Sequence, residues 1–178
     1  MCTECGGICC YADDSTYILS ANTTEELSSR LEVKFQVMSN YLSENRLCIN
    51  SENTHLLCMS TRQKKRNNNL TPVTLNTGNE IIKTSRTETL LGFKIHESMG
   101  FSEHILDSKD SLIKTLNMRI GALKKINKVA SFKAKLNIAN GIIMSKILYL
   151  LPLYRGCPEY LLSAIQAKQT EALRQVTG

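Results

Sequence analysis

No stretch of the sequence is apolar for long enough to cross a membrane. The longest candidate, Ile142 to Leu153, is interrupted by Lys146 and Pro152 and falls short of the roughly 20 residues a spanning helix needs. A leader with a basic start and a small-residue cleavage site is also missing, which argues against secretion. The seven cysteines, at positions 2, 5, 9, 10, 48, 58 and 157, are odd in number and unevenly spaced, so a disulfide framework is not expected. These absences point to a reduced, intracellular protein, nuclear or cytoplasmic, without a membrane partner. No internal repeat or low-complexity tract appears, and 42% hydrophobic content is ordinary for a globular domain.

Charge of one sign is scarce in each half. Residues 1–60 carry only Arg30, Lys34 and Arg46 as basic side chains, against Glu4, Asp13, Asp14, Glu25, Glu26, Glu32, Glu44 and Glu52. Residues 109–146 carry Asp110 alone as an acid, against Lys109, Lys114, Arg119, Lys124, Lys125, Lys128, Lys133, Lys135 and Lys146. The formal net charge of +6 is therefore gathered toward one end, which suits cations at the first part and polyanions at the second.

The order of patterns predicts an α+β chain. Ile8 to Tyr11 and Ser15 to Leu19 are β-prone runs hinged on a polar turn, a β-hairpin. Thr23 and Glu26 match a capping box, and Leu27, Leu31, Phe35, Met38 and Leu42 recur at helical spacing, so a helix is expected from Thr24 to Ser43. Leu56 to Met59, Val73 to Leu75, Glu80 to Lys83 and Leu90 to Ile95 read as strands of a small antiparallel sheet, with Asn76-Thr77-Gly78-Asn79 as one of the loops between them. Arg62 to Asn69 is too polar to pack and should project into solvent. From Glu103, the face traced by Ile105, Leu112, Leu116, Ile120, Leu123 and Ile126 predicts a helix. Two more are expected, from Phe132 to Leu151 and from Pro158 to Thr177. The boundary between a mixed part, 1–98, and an all-helical part, 99–178, is expected near Ser98 to Glu103.

Adjacent strand residues point to opposite faces, so neighbouring aspartates address one metal region only where a turn breaks the alternation. Asp13 and Asp14 sit at the predicted turn. An Asp-Asp pair alone is ordinarily a solvated turn, but here the flanks are specific. Tyr11-Ala12-Asp13-Asp14 between two apolar strands resembles the Tyr-X-Asp-Asp motif C of reverse transcriptases. The chain downstream of Asp14 is similar, in order and spacing, to the palm and thumb of the non-LTR (LINE-type) retrotransposon enzymes. The capped helix and Leu47-Cys48-Ile49-Asn50 resemble motif D, Leu91-Gly92-Phe93 resembles motif E, the primer grip, where a tight β-turn holds the primer's 3′ end, and Leu116-Asn117-Met118-Arg119 with Ala139 to Leu153 resembles the thumb.

The resemblance implies RNA-directed DNA synthesis by two-metal nucleotidyl transfer, in which hard divalent ions take oxygen ligands. Asp13 and Asp14 would hold magnesium, Tyr11 would line the nucleotide and primer region, and Leu91, Gly92 and Phe93 would position the primer terminus. Lys114, Arg119, Lys124, Lys125, Lys128, Lys133 and Lys135 would meet the backbone of an RNA template and DNA primer. Two departures qualify this. Asn53 stands where the family's motif D carries a lysine proposed to protonate pyrophosphate, and an amide is no cationic acid. The family's fingers and motifs A and B lie upstream of the tyrosine, where this sequence has ten residues, so a C-terminal palm and thumb fragment, inactive alone, is expected.

Three other constellations are weaker. Cys2-X-X-Cys5 with Cys9-Cys10 lacks a second well-spaced pair for zinc. The loop of Arg62, Lys64, Lys65 and Arg66 is as consistent with an exposed loop as with phosphate contacts. His55, His96 and His104 share no ligand spacing and read as surface or packing residues. The competing functional readings are a non-catalytic basic module that binds nucleic acid, and a decayed element product without function.

Overall fold

The structure is a computed structural model that describes residues 6–12, 14–61, 63, 73–77 and 80–177. It is α+β, as the sequence implies, and divides into two compact units at Glu88/Thr89.

In the first unit, strands β1 (Gly6–Tyr11) and β2 (Asp14–Leu19) pair antiparallel, with Ile8 opposite Tyr17 and Tyr11 opposite Asp14. The expected hairpin is therefore present, with a two-residue connection between its strands. Ala12 in that connection has φ +54°, the backbone hand that matches the right-handed twist of paired strands. Asp13 lies outside the described residues.

Helix α1 (Thr24–Glu44) starts where the capping pattern places it. Thr23 Oγ1 accepts the Glu26 N–H at 3.2 Å, satisfying one of the amide groups a helix start leaves unpaired. The Glu26 carboxylate accepts from the Asn22 N–H at 3.0 Å and pairs with Arg30 at 2.7 Å. Leu27, Leu31, Phe35, Met38 and Leu42 are half-buried, and the helix packs against the small sheet.

That sheet has the order β3 (Leu56–Leu57), β5 (Ile81–Ser85), β4 (Thr74–Asn76). β4 and β5 are antiparallel as expected, with Leu75 opposite Ile82. β3, however, runs parallel to β5, with Leu56 opposite Thr84. Strands β3 and β4 lie on opposite edges of β5, and residues 58–80, which include β4, give the chain the long connection that a parallel partner requires. Val73 and Leu75 are the buried apolar residues of this unit among those described. The basic loop residues Arg62, Lys64, Lys65 and Arg66 lie outside the described residues, as do Gly78 and Asn79 of the β4–β5 loop.

The segment from Leu90 to Ile95, read from its pattern as a strand, is a hairpin, with a tight turn where the resemblance to motif E implies one. β6 (Thr87–Leu90) turns through Leu91 and Gly92, with φ +48° and +79°, into β7 (Phe93–His96). Two successive positive φ angles define a tight turn that tolerates glycine at low cost and leucine at some strain. A π-helical turn, Glu103–Asp107, comes next. Ser111 then caps helix α2 (Leu112–Ile126), so the first expected helix is broken at Ser108 to Ser111.

Helix α3 (Phe132–Ile138), capped by Ser131, continues through a π-helical segment, Ala139–Met144, into α4 (Ser145–Tyr149). A 3-10 turn with Pro152 in its opening residues, Leu151–Gly156, leads to α5 (Glu159–Thr177). The core is the face read from the sequence: Ile105, Leu112, Leu116, Ile120 and Leu123 interlock with Ile143, Ile147, Leu161, Ile165 and Val176, all nearly fully buried. In a close-packed interior this fixes the angular position of every other residue on α2, including the basic ones.

Candidate functional site

The carboxylate hairpin presents its residues to solvent. Asp14 opens β2 opposite Tyr11, whose side chain is 67% exposed. Cys10 Sγ and Ser15 Oγ are 3.6 Å apart across the strands. Asp14 is thus the described member of the expected magnesium pair. Magnesium demands a near-octahedral oxygen shell, and among the described residues no group of three or more His, Cys, Asp or Glu is placed to share an ion. The described donors therefore do not by themselves make up a metal cage. Of the cysteines considered for zinc, Cys9 and Cys10 are exposed, while Cys2 and Cys5 lie outside the described residues.

Asn50, at the position similar to motif D, has a local role. Its side-chain oxygen accepts from the N–H groups of Glu52 and Asn53 and caps the 3-10 turn Ser51–Asn53. Asn53 itself is exposed.

Leu91, Gly92 and Phe93 are brought to one end of the helical unit. The Tyr149 hydroxyl donates to the Leu91 carbonyl at 3.1 Å. The Phe93 ring packs edge-on to Phe101, with centroids 6.0 Å apart, and tilts against His104 at 4.5 Å. Phe93, the first residue after the turn, is thus a packing residue, while the turn itself is exposed.

The basic residues divide into two groups. Some are engaged within the unit: Lys114 Nζ donates to the Ser108 carbonyl, Arg119 to the Ile142 carbonyl, and Lys135 Nζ to Asn127 Oδ1 at 2.8 Å. Lys124 and Lys168 both bind the Glu171 carboxylate, at 2.8 and 2.9 Å. These two ammonium groups hold Glu171 well below the usual carboxylate range, at about 2. Lys125, Lys128 and Lys133, by contrast, are exposed and in no ion pair among the described residues. They surround the α2–α3 corner and form an exposed cationic patch there.

The histidine without a motif has the most constrained environment. His104 is 5% exposed, and its Nδ1 accepts the Lys94 N–H at 3.2 Å. Burial, then the charges of Lys146 and Lys94, push its imidazole down to about 4, so it is neutral at pH 7. Nothing in its spacing signalled this. The environment arises because the Glu103–Asp107 turn folds back against β7.

In comparisons with known proteins, the chain matches no family model, no curated protein and no solved structure.

Proposed function

We propose that this chain is part of the polymerase domain of a reverse transcriptase of the non-LTR retrotransposon type, whose intact form copies an RNA template onto a DNA primer with magnesium. The observation that carries the reading is the antiparallel hairpin that sets Asp14 opposite Tyr11 across a two-residue connection, with both side chains exposed. A carboxylate pair meant for metal and phosphate must sit on a rigid frame and remain open to solvent. The tight turn at Leu91 and Gly92, where the resemblance expects a primer grip, supports the same reading.

Manganese titration monitored by NMR tests it. Selective broadening of residues 10–15 that disappears in an Asp13→Ala, Asp14→Ala double variant is the expected outcome. Primer extension on an RNA template, with the same double variant as control, then measures whether the segment suffices for chemistry. A folded sample in which Mn²⁺ leaves the hairpin resonances untouched sinks the reading.

A second reading, a basic module that binds nucleic acid without catalysis, is favoured by the exposed Lys125, Lys128 and Lys133. Such binding weakens with salt, each phosphate contact contributing roughly 0.7 to 0.9 to the logarithmic slope. The triple Lys→Gln variant should therefore lower the slope by about 2 on a single strand. An unchanged slope would remove these lysines from the interface.

A further inference from the structure

In the helical unit, a cleft of about 360 Å³ opens between the end of the β6–β7 hairpin, the Glu103–Asp107 turn, α2 and α4. Its size lies within the range of small-ligand pockets, roughly 300 to 1,000 Å³. Lys94, Arg119 and Lys146 contribute three cations to its walls, and Asp110 one anion. His104 completes the wall.

Two observations separate this cleft from an ordinary basic surface. The first is that its cations gather around one buried ring: His104 is 5% exposed, its Nδ1 accepts the Lys94 N–H, and the charges of Lys146 and Lys94 both act on it.

The second is how little of the positive charge is neutralised. Lys94 Nζ donates to Ser108 Oγ at 3.0 Å and stands 3.8 Å from Asp110, whose side chain is 87% exposed. Arg119 spends one N–H on the Ile142 carbonyl and has four others. Lys146 is half-buried and in no ion pair among the described residues.

We propose that this cleft binds a phosphate group, with Lys94, Arg119 and Lys146 opposing its charge. Guanidinium and ammonium groups are the donors that recognise phosphoryl oxygens. A carboxylate would use fewer of them, and a cation would be repelled by the net positive charge of the walls. Gly92 and Arg119, which the polymerase reading gives to the primer and the nucleic-acid backbone, also line the cleft, but neither Asp13 nor Asp14 does. It can therefore succeed or fail independently of metal binding at the hairpin.

The test is titration of the full chain with inorganic phosphate, monitored by calorimetry and by the His104 imidazole resonances. Saturable binding that shifts the resonances of this lining ring is expected. Lys146→Gln should weaken it at least tenfold, Lys146→Arg should restore most of it, and Lys125→Gln on the outer face should leave it unchanged. A nucleoside triphosphate and a short single-stranded oligonucleotide, titrated in the same way, identify the source of the phosphate. The one that binds more tightly and is weakened by Lys146→Gln is the physiological class. No saturable phosphate binding, or equal weakening by Lys125→Gln and Lys146→Gln, would overturn the assignment.

Discussion

The hydroxyl of Tyr149 on α4 donates to the carbonyl of Leu91, so the tip of the β6–β7 turn is tied to a helix 58 residues further along the chain. The turn is otherwise exposed, and its two residues adopt left-handed backbone angles. Its geometry depends on that bond and on Gly92.

Removing either support should loosen the turn by a small, measurable amount. Tyr149→Phe loses one net hydrogen bond, about 0.5 to 1.5 kcal/mol. Gly92→Ala is strained by its φ of +79°, although the nearest atom to an added Cβ, Tyr149 Cε1, is at an ordinary 3.9 Å. The cost is then conformational, about 1 kcal/mol. Urea unfolding of the two variants measures both, and a loss well above that conformational cost for Gly92→Ala would mean that sterics decide the position.

The two units should respond differently to truncation of an apolar side chain. Leu116 is fully buried at the centre of the α2 face, and Leu116→Ala should cost about 2 to 5 kcal/mol through lost burial and a cavity. Leu31 on α1 is only half-buried, so Leu31→Ala should cost less than half as much, since less apolar area leaves water. Equal destabilisation of the two variants would contradict the packing described for α1.

Stability should fall in two successive steps as pH drops. The His104 imidazole titrates at about 4 when folded against 6.5 ordinarily, so between those two values the unfolded chain binds one more proton. Folding therefore weakens across that window, by on the order of 3 kcal/mol. Glu171 is lowered from 4.5 to about 2 by Lys124 and Lys168. Its contribution is present above the ordinary value and is lost as pH falls toward the folded one, and it is worth at most about 1 kcal/mol because the pair is partly exposed. Urea midpoints recorded from about pH 7 to 3 should lose the upper step in His104→Gln and keep it in Glu171→Gln. An upper step that survives His104→Gln would assign it to another group.

Local signals were legible wherever a short stretch decides its own conformation. Thr23 with Glu26 placed the start of α1, and the helical spacing of Leu27 to Leu42 named the side that packs. The same spacing from Leu112 to Leu123 named the helical core. In each case the period of the apolar residues and the capping chemistry act within a few residues. The hairpin around Ala12 was legible for the same reason, as two β-prone runs separated by a polar turn.

Other features depended on residues far apart in sequence. The β-prone pattern from Leu90 to Ile95 read as one strand, and only the resemblance to motif E placed a tight turn there; the left-handed angle at Leu91 accompanies a bond from Tyr149 to its carbonyl. The strand Leu56–Leu57 gave no sign of running parallel to Ile81–Ser85, since direction is set by which edge of β5 remains available. His104 carries no motif, and its buried, neutral state comes from Lys94, Lys146 and the aromatic rings that the fold gathers around it.

By itself the sequence determined the elements, the apolar faces, the basic stretch from Lys109 to Lys146 and the motif-like order on which the polymerase reading rests. Only the tertiary structure decided which of those basic residues are spent on carbonyls and Glu171, which remain open, and that three cations and a buried histidine line a common cleft. The reason is physical. Helix and turn formation are governed by neighbours along the chain, whereas charge pairing and desolvation are governed by neighbours in space.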